Sequence, residues 1–210
     1  MASNLNSNRM IKVVLASLAL LAGIGLYFRE MQKVSGPGDE QGGAELASIG
    51  KISAELEKAL EVDDQGLSKA VVVIQTTRGK IRFKLYTKDA PKTVHRIVEL
   101  ITKGFYNGLT FHRVVPGFVV QGGDPSGSGM GGSGVSLPAE FNSRKHVPGA
   151  VAMARAQDPN SADSQFYISL GTHPHLDGSY TVFGQLIEGQ EVANQLQVGD
   201  RMTAVAIEGQ

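Results

Sequence analysis

Downstream of about Ala70 the chain runs as short apolar stretches separated by glycine and proline, the rhythm of a protein built mainly from strands. VVVIQT, from Val71, is a β-branched run. TRGK, ending at Gly79 and Lys80, is turn-like, and IRFKLY then alternates apolar Ile81, Phe83 and Leu85 with polar Arg82 and Lys84. This predicts a hairpin with one buried face. Asp89 before Pro91 marks a helix start, and Val94, Ile97, Val98 and Ile101 fall at i, i+3, i+4 and i+7 before Gly104 ends the segment. Beyond it lie LTFHRVV, FVVQ, AVAMA, QFYISL and YTVFGQL, then a second helix including Val192 and Leu196, and MTAVAI as a final strand. Many short strands with one or two helices predict a mainly β, antiparallel sheet or barrel, not a βαβ array.

The N-terminal pattern is of another kind. From Val13 to Phe28 no residue is charged, with Arg9 and Lys12 before the run and Arg29 after it. With Ile11 and snorkelling flanks the run is just adequate for a span, which needs roughly 17 to 25 residues. It ends in Leu26, Tyr27, Phe28 and Arg29 instead of the small residues of a cleavage site, so residues 1–30 read as an uncleaved signal anchor. Secretion after cleavage is the alternative. The expectation is a single-pass protein whose C-terminal domain lies outside the cytosol. Residues 31–69 read as a tether: Ser35 to Gly43 is SGPGDEQGG, and Leu46, Ile49, Leu56 and Leu60 suggest a short amphipathic spacer helix that Gly50 interrupts. Residues 70–210 form the folded domain.

Composition narrows the function. The chain has 210 residues and no cysteine, which removes disulfides, thiolate metal sites and a cysteine nucleophile together. Twenty basic residues offset twenty acidic ones, so nucleic acid is not an expected partner.

Several tempting motifs fail on context. GSGMGG, Gly127 to Gly132, matches the dinucleotide fingerprint, but the SGVSLP that follows has no helical pattern for the glycines to open. A glycine-rich surface loop, able to let a bound chain approach closely, is the better reading. His173 and His175 flank Pro174 without the third ligand a catalytic zinc needs, and no GxSxG marks a serine nucleophile. No metal and no cofactor are expected. What remains is FHRVVPGFVVQGGD, Phe111 to Asp124, where one cation sits among aromatic and branched residues. Arg113 is either a surface residue or a guanidinium held over an apolar pocket by a neighbour such as Gln121, and periodicity does not choose between these.

FHRVVPGFVVQGGD resembles the signature of the cyclophilins. GSGMGGSG, FNSRKHVPGAVAMARAQDPNSADSQFYISL and HLDGSYTVFGQLIEG resemble that family's later blocks in the same order, so the likeness covers Ala70 to Ile207. It implies a closed eight-stranded antiparallel β-barrel capped by two α-helices, here behind an N-terminal transmembrane helix and linker. It also implies a peptidyl-prolyl cis/trans isomerase that assists folding, with proline-containing peptides and unfolded proteins as partners and a monomeric catalytic domain. By that resemblance Arg113 is the catalytic arginine, Gln121 orients it and Phe118 floors the proline pocket. His112, Val119, Ala154, Arg155, Gln165, Tyr167, Leu176, His175 and Tyr180 are the implied substrate-binding positions. Several depart from the best-known eukaryotic pattern: Val119 replaces methionine, Arg155 asparagine, Tyr167 phenylalanine, His175 tryptophan, and Tyr180 stands where histidine is common. The His175 change argues against strong cyclosporin binding. These departures also keep a second expectation open, a module that binds a proline motif on a membrane partner without turnover.

Overall fold

The computed structural model describes residues 66–209, and the anchor and most of the tether expected from the sequence lie outside them. Among the described residues no helix is long and apolar enough to cross a membrane. The compact unit begins at Gly66, and a helical turn over residues 66–69 buries Leu67.

Eight strands follow the apolar runs: β1 (Val71–Thr76), β2 (Gly79–Leu85), β3 (Arg113–Val115), β4 (Val119–Gly122), β5 (Ala150–Met153), β6 (Phe166–Ser169), β7 (Val182–Glu188) and β8 (Met202–Glu208). Two α-helices join them, α1 (Pro91–Thr102) and α2 (Gln190–Gln195). The strand order is β3-β4-β6-β5-β7-β2-β1-β8, with every ladder antiparallel. β3 and β8, the ends of that order, do not pair as strands. The segments next to them meet instead: Thr110 bridges Arg201, Gly108 N–H donates to Met202 O, and Phe111 N–H donates to Asp200 O. The closed barrel expected from the sequence is thus found as a curled sheet with a seam, since β3 is only three residues long and the contact falls before it.

The alternation in β2 reads directly onto the fold, with Ile81, Phe83 and Leu85 buried and Lys80 and Lys84 exposed. β1 differs, for Val71 to Ile74 are all buried. It lies between β2 and β8, against which α2 and α1 pack, so both of its faces are covered. The interior of the curled sheet is apolar, with Ile74, Ile81, Phe83, Phe111, Val120, Ile168, Phe183 and Met202 all buried and the Phe83 and Phe183 rings edge to face at 6.2 Å. Each such side chain contributes about 1.5–3 kcal/mol by leaving water.

Helix α1 buries Val94, Ile97, Val98 and Ile101 as the spacing predicts, and Gly104 at φ 69° ends it. Its start is not as predicted. Asp89 does not cap it; Ala90 holds that position without a side-chain cap, and the Glu140 carboxylate accepts the N–H of Lys92 at 2.9 Å and of Thr93 at 2.8 Å. Asp89 instead pairs with Arg144 at 2.8 Å. A distant carboxylate thus satisfies the open amides that a local one was expected to meet.

Candidate active site

The site grows from the shortest hairpin. Val115, Pro116, Gly117 and Phe118 make a tight turn in which Phe118 N–H donates to Val115 O at 2.9 Å, with proline first and Gly117 at φ 72° second. Those are the residues a type II turn needs. The turn sets β3 against β4 in a register that places Arg113 directly opposite Gln121. Arg113 Nη1 lies 3.5 Å from Gln121 Oε1, and the guanidinium carbon is 5.7 Å from the centre of the Phe118 ring. Arg113 is exposed and also stands over an apolar floor, so both alternatives left open by its periodicity hold at once.

A chain of amides runs back from it. Gln121 Nε2 donates to Gln165 Oε1 at 2.9 Å, and Gln165 Nε2 donates to Gly129 O and Gly131 O at 2.9 and 2.8 Å. The glycine-rich loop that resembled a nucleotide fingerprint is therefore tied to the arginine through two side chains. Asp124 shapes that loop, accepting from Ser126 N–H and hydroxyl and from Gly129 N–H. Burial works against the Asp124 charge, but these hydrogen bonds prevail and hold its pKa at about 2. Asp163 holds the next stretch through Ser133 and the N–H of Gly134.

Arg113, Phe118, Val119, Gln121, Ala154, Arg155, Tyr167, Leu176 and Tyr180 line one cavity of about 260 Å³. Beside it a second cavity of about 340 Å³ shares Gln121, Ala154 and Arg155 and adds Gln165 and the glycine loop. Arg155 stands between the two. Its Nε and Nη2 donate to Ser179 O, its Nη1 donates to the carbonyls of Ala156 and Gln157, and it lies 4.7 Å from the Tyr180 ring centre. His175 lies outside the cavity lining but stacks on Phe118, with centroids 6.0 Å apart and planes 17° apart. His112 lies beside the glycine loop, and among the described residues neither of its buried ring nitrogens has a hydrogen-bond partner. The N–H of Ala154 is donated to Gln165 O at 2.9 Å and so is not available to a bound chain.

Sequence reasoning missed the groups behind the cavity. His173 Nε2 donates to Phe118 O at 2.9 Å and fixes the floor from below. His146, buried behind Tyr167, lies 2.9 Å from its hydroxyl and 3.0 Å from Asp177. No periodicity marks His146, His173 and Asp177, none of which lies in a strand or an α-helix.

A family model described as cyclophilin type peptidyl-prolyl cis-trans isomerase matches residues 71–208. The chain is 45% identical over 137 residues to a peptidyl-prolyl cis-trans isomerase of Synechococcus elongatus, covering 64% of this chain and 94% of the relative. It is 47% identical over 132 residues to peptidyl-prolyl cis-trans isomerase B of Bacillus subtilis, covering 62% and 92%. A crystal structure of a cyclophilin type isomerase from Cryptosporidium parvum superposes with a TM-score of 0.62 at 30% identity, over 67% of this chain and 98% of that one. The same protein has been crystallised in the presence of the dipeptide Ala-Pro.

Proposed function

The chain belongs to the cyclophilin-type peptidyl-prolyl cis-trans isomerases, and we propose that it turns the X-Pro bond in the 260 Å³ cavity beneath Arg113. The observation that carries this is a planar cation held by Gln121 at the rim of a proline-sized hollow floored by Phe118 and lined by Val119 and Leu176.

The task explains the groups present. An amide resists rotation because nitrogen donates its lone pair into the carbonyl, with a barrier of about 18–20 kcal/mol. The two X-Pro isomers differ by only about 1 kcal/mol, so lowering the barrier suffices and no bond need be broken. Arg113 donates hydrogen bonds to the prolyl carbonyl and towards its nitrogen, favouring a pyramidal nitrogen that no longer conjugates. Phe118, Val119, Tyr167 and Leu176 hold the ring while the preceding residue swings. An acceleration of about 10⁵ requires roughly 7 kcal/mol, of which one charged donor typically provides about 3–4 kcal/mol. The enclosing wall must contribute the rest, by excluding water and restricting the proline to a twisted geometry. Exchange of an Ala-Pro peptide followed by NMR tests this reading: acceleration by the full-length chain, lost in Arg113→Ala, supports it, and acceleration that survives the substitution removes Arg113 from the reaction.

The uncharged run Val13–Phe28 between Lys12 and Arg29 supports a further part of the reading. It anchors the chain in a membrane, with a monomeric isomerase domain outside the cytosol assisting the folding of exported chains. Protease protection of the domain in intact membranes checks this, and digestion from the cytosolic side would reverse the topology.

A further inference from the structure

Tyr167 lines the cavity with its ring, yet its hydroxyl is engaged outside the cavity lining by Nε2 of His146. The two rings are nearly parallel, with planes 19° apart and centroids 6.0 Å apart, and Tyr180 meets both edge-on. The other nitrogen of His146 faces Asp177 Oδ1, which also accepts the His146 backbone N–H at 2.9 Å, while Asp177 Oδ2 lies 3.2 Å from Lys145 Nζ. An ionised carboxylate can only accept, so Nδ1 carries the imidazole proton. Nε2 is then the acceptor and the Tyr167 hydroxyl the donor.

We propose that His146 and Asp177 are positioning residues for the isomerase reaction, holding the Tyr167 ring against the bound proline through its hydroxyl and releasing it when His146 is protonated. The inference rests on the reading of that cavity as the proline site. An imidazolium has two donors and no acceptor. The Tyr167 hydroxyl would then have to turn its own proton towards the cluster of Val119, Ala150, Ala152 and Val182 in which Tyr167 is buried, where nothing apolar accepts it. Phenylalanine, which the best-known eukaryotic pattern has at this position, would place the same ring without the tether.

The charged and titratable groups around the pair are few. Asp177 and Lys145 face it from the outer side, His173 and His175 from the turn at Pro174–Leu176, Tyr180 from the loop before β7, and Arg155 acts on Tyr167 from the far wall. Burial pushes the His146 pKa down from the ordinary imidazole value, while hydrogen bonding and the charge of Asp177 pull it back up. The release therefore lies on the acid side of neutrality.

The test is the pH profile of kcat/KM for Ala-Pro exchange, from about pH 8 to about pH 5, with the full-length chain, Tyr167→Phe and His146→Gln, each normalised to its own value at the alkaline end. The wild type should lose activity several-fold along one ionisation, and both variants should lose that limb. The ring proton of His146, followed by NMR in the wild type, should titrate with the same midpoint, which keeps the test decisive if a variant fails to fold. The same acid limb in Tyr167→Phe, a flat wild-type profile, or a midpoint belonging to His173 or His175 overturns the inference alone. No acceleration at any pH would overturn the cavity reading and this inference with it.

Discussion

The Arg113 guanidinium faces the Gln121 amide across the β3–β4 ladder, with Nη1 3.5 Å from Oε1, and among the described residues this is its only hydrogen bond. Gln121 is in turn fixed by Gln165, which is fixed by two carbonyls of the glycine loop. A guanidinium has five donors in a rigid fork. One serves to aim the group, which leaves the others for the amide undergoing rotation.

Arg113→Lys follows from that geometry. An ammonium keeps the charge but not the planar fork, so it cannot serve Gln121 and two substrate acceptors in one plane. Turnover should fall by about 10²-fold, close to the loss from removing a charged donor altogether. The protease-coupled assay with an Ala-Pro peptide measures it, and near wild-type turnover would show that charge alone is enough.

Glu140→Ala removes the carboxylate that accepts the Lys92 and Thr93 amides at the start of α1. Losing a cap of this kind costs about 1 kcal/mol, with the catalytic groups untouched. Denaturant unfolding should show a lower midpoint and an unchanged slope.

Much of the scaffold was legible and the supports of the site were not, for a physical reason visible in these residues. Ile81, Phe83 and Leu85 show their strand by alternation, and Val94, Ile97, Val98 and Ile101 show their helix by spacing, because each pattern reflects burial against one core. Glu140 caps a helix that begins far upstream, and His146 meets Asp177 and Tyr167 only after the chain has folded. Each such contact brings in a residue from outside the strands and α-helices, Glu140, His146 or Asp177, where there is no period to detect. The hairpin VVPGF is the intermediate case: Pro116 and Gly117 signal the turn locally, and the turn fixes the Arg113 and Gln121 register.

Gly123→Ala should be among the more damaging small substitutions. Gly123 has φ 88°, and a Cβ there would stand 2.5 Å from Ser164 O and 3.2 Å from the Tyr106 ring. The left-handed conformation alone costs about 1–2 kcal/mol, and the backbone contact adds to it. Thermal unfolding should show a clear drop in Tm, and an unchanged Tm would mean that the β4 end shifts freely.

Acid stability should carry the signature of Asp124 and Asp177, both held at about 2 in the folded protein against an ordinary value of 3.8. For Asp177 the backbone N–H and then the ring of His146 are the causes, and for Asp124 the loop hydrogen bonds outweigh burial. Both values are depressed, so their stabilisation is present above pH 3.8 and is lost as pH falls towards 2. Asp124→Asn and Asp177→Asn should each flatten the dependence of unfolding free energy on pH in that window, measured by denaturant titration at several pH values.

The central claim is that Arg113 acts on the rotating bond and not on the grip. The most direct measurement is NMR exchange of an Ala-Pro peptide at several concentrations with wild type and Arg113→Ala, which yields the exchange rate on the protein and the dissociation constant together. The account predicts a loss of about 10² to 10³ in turnover with only a modest loss of binding. Equal losses in both would contradict it and make Arg113 a binding residue.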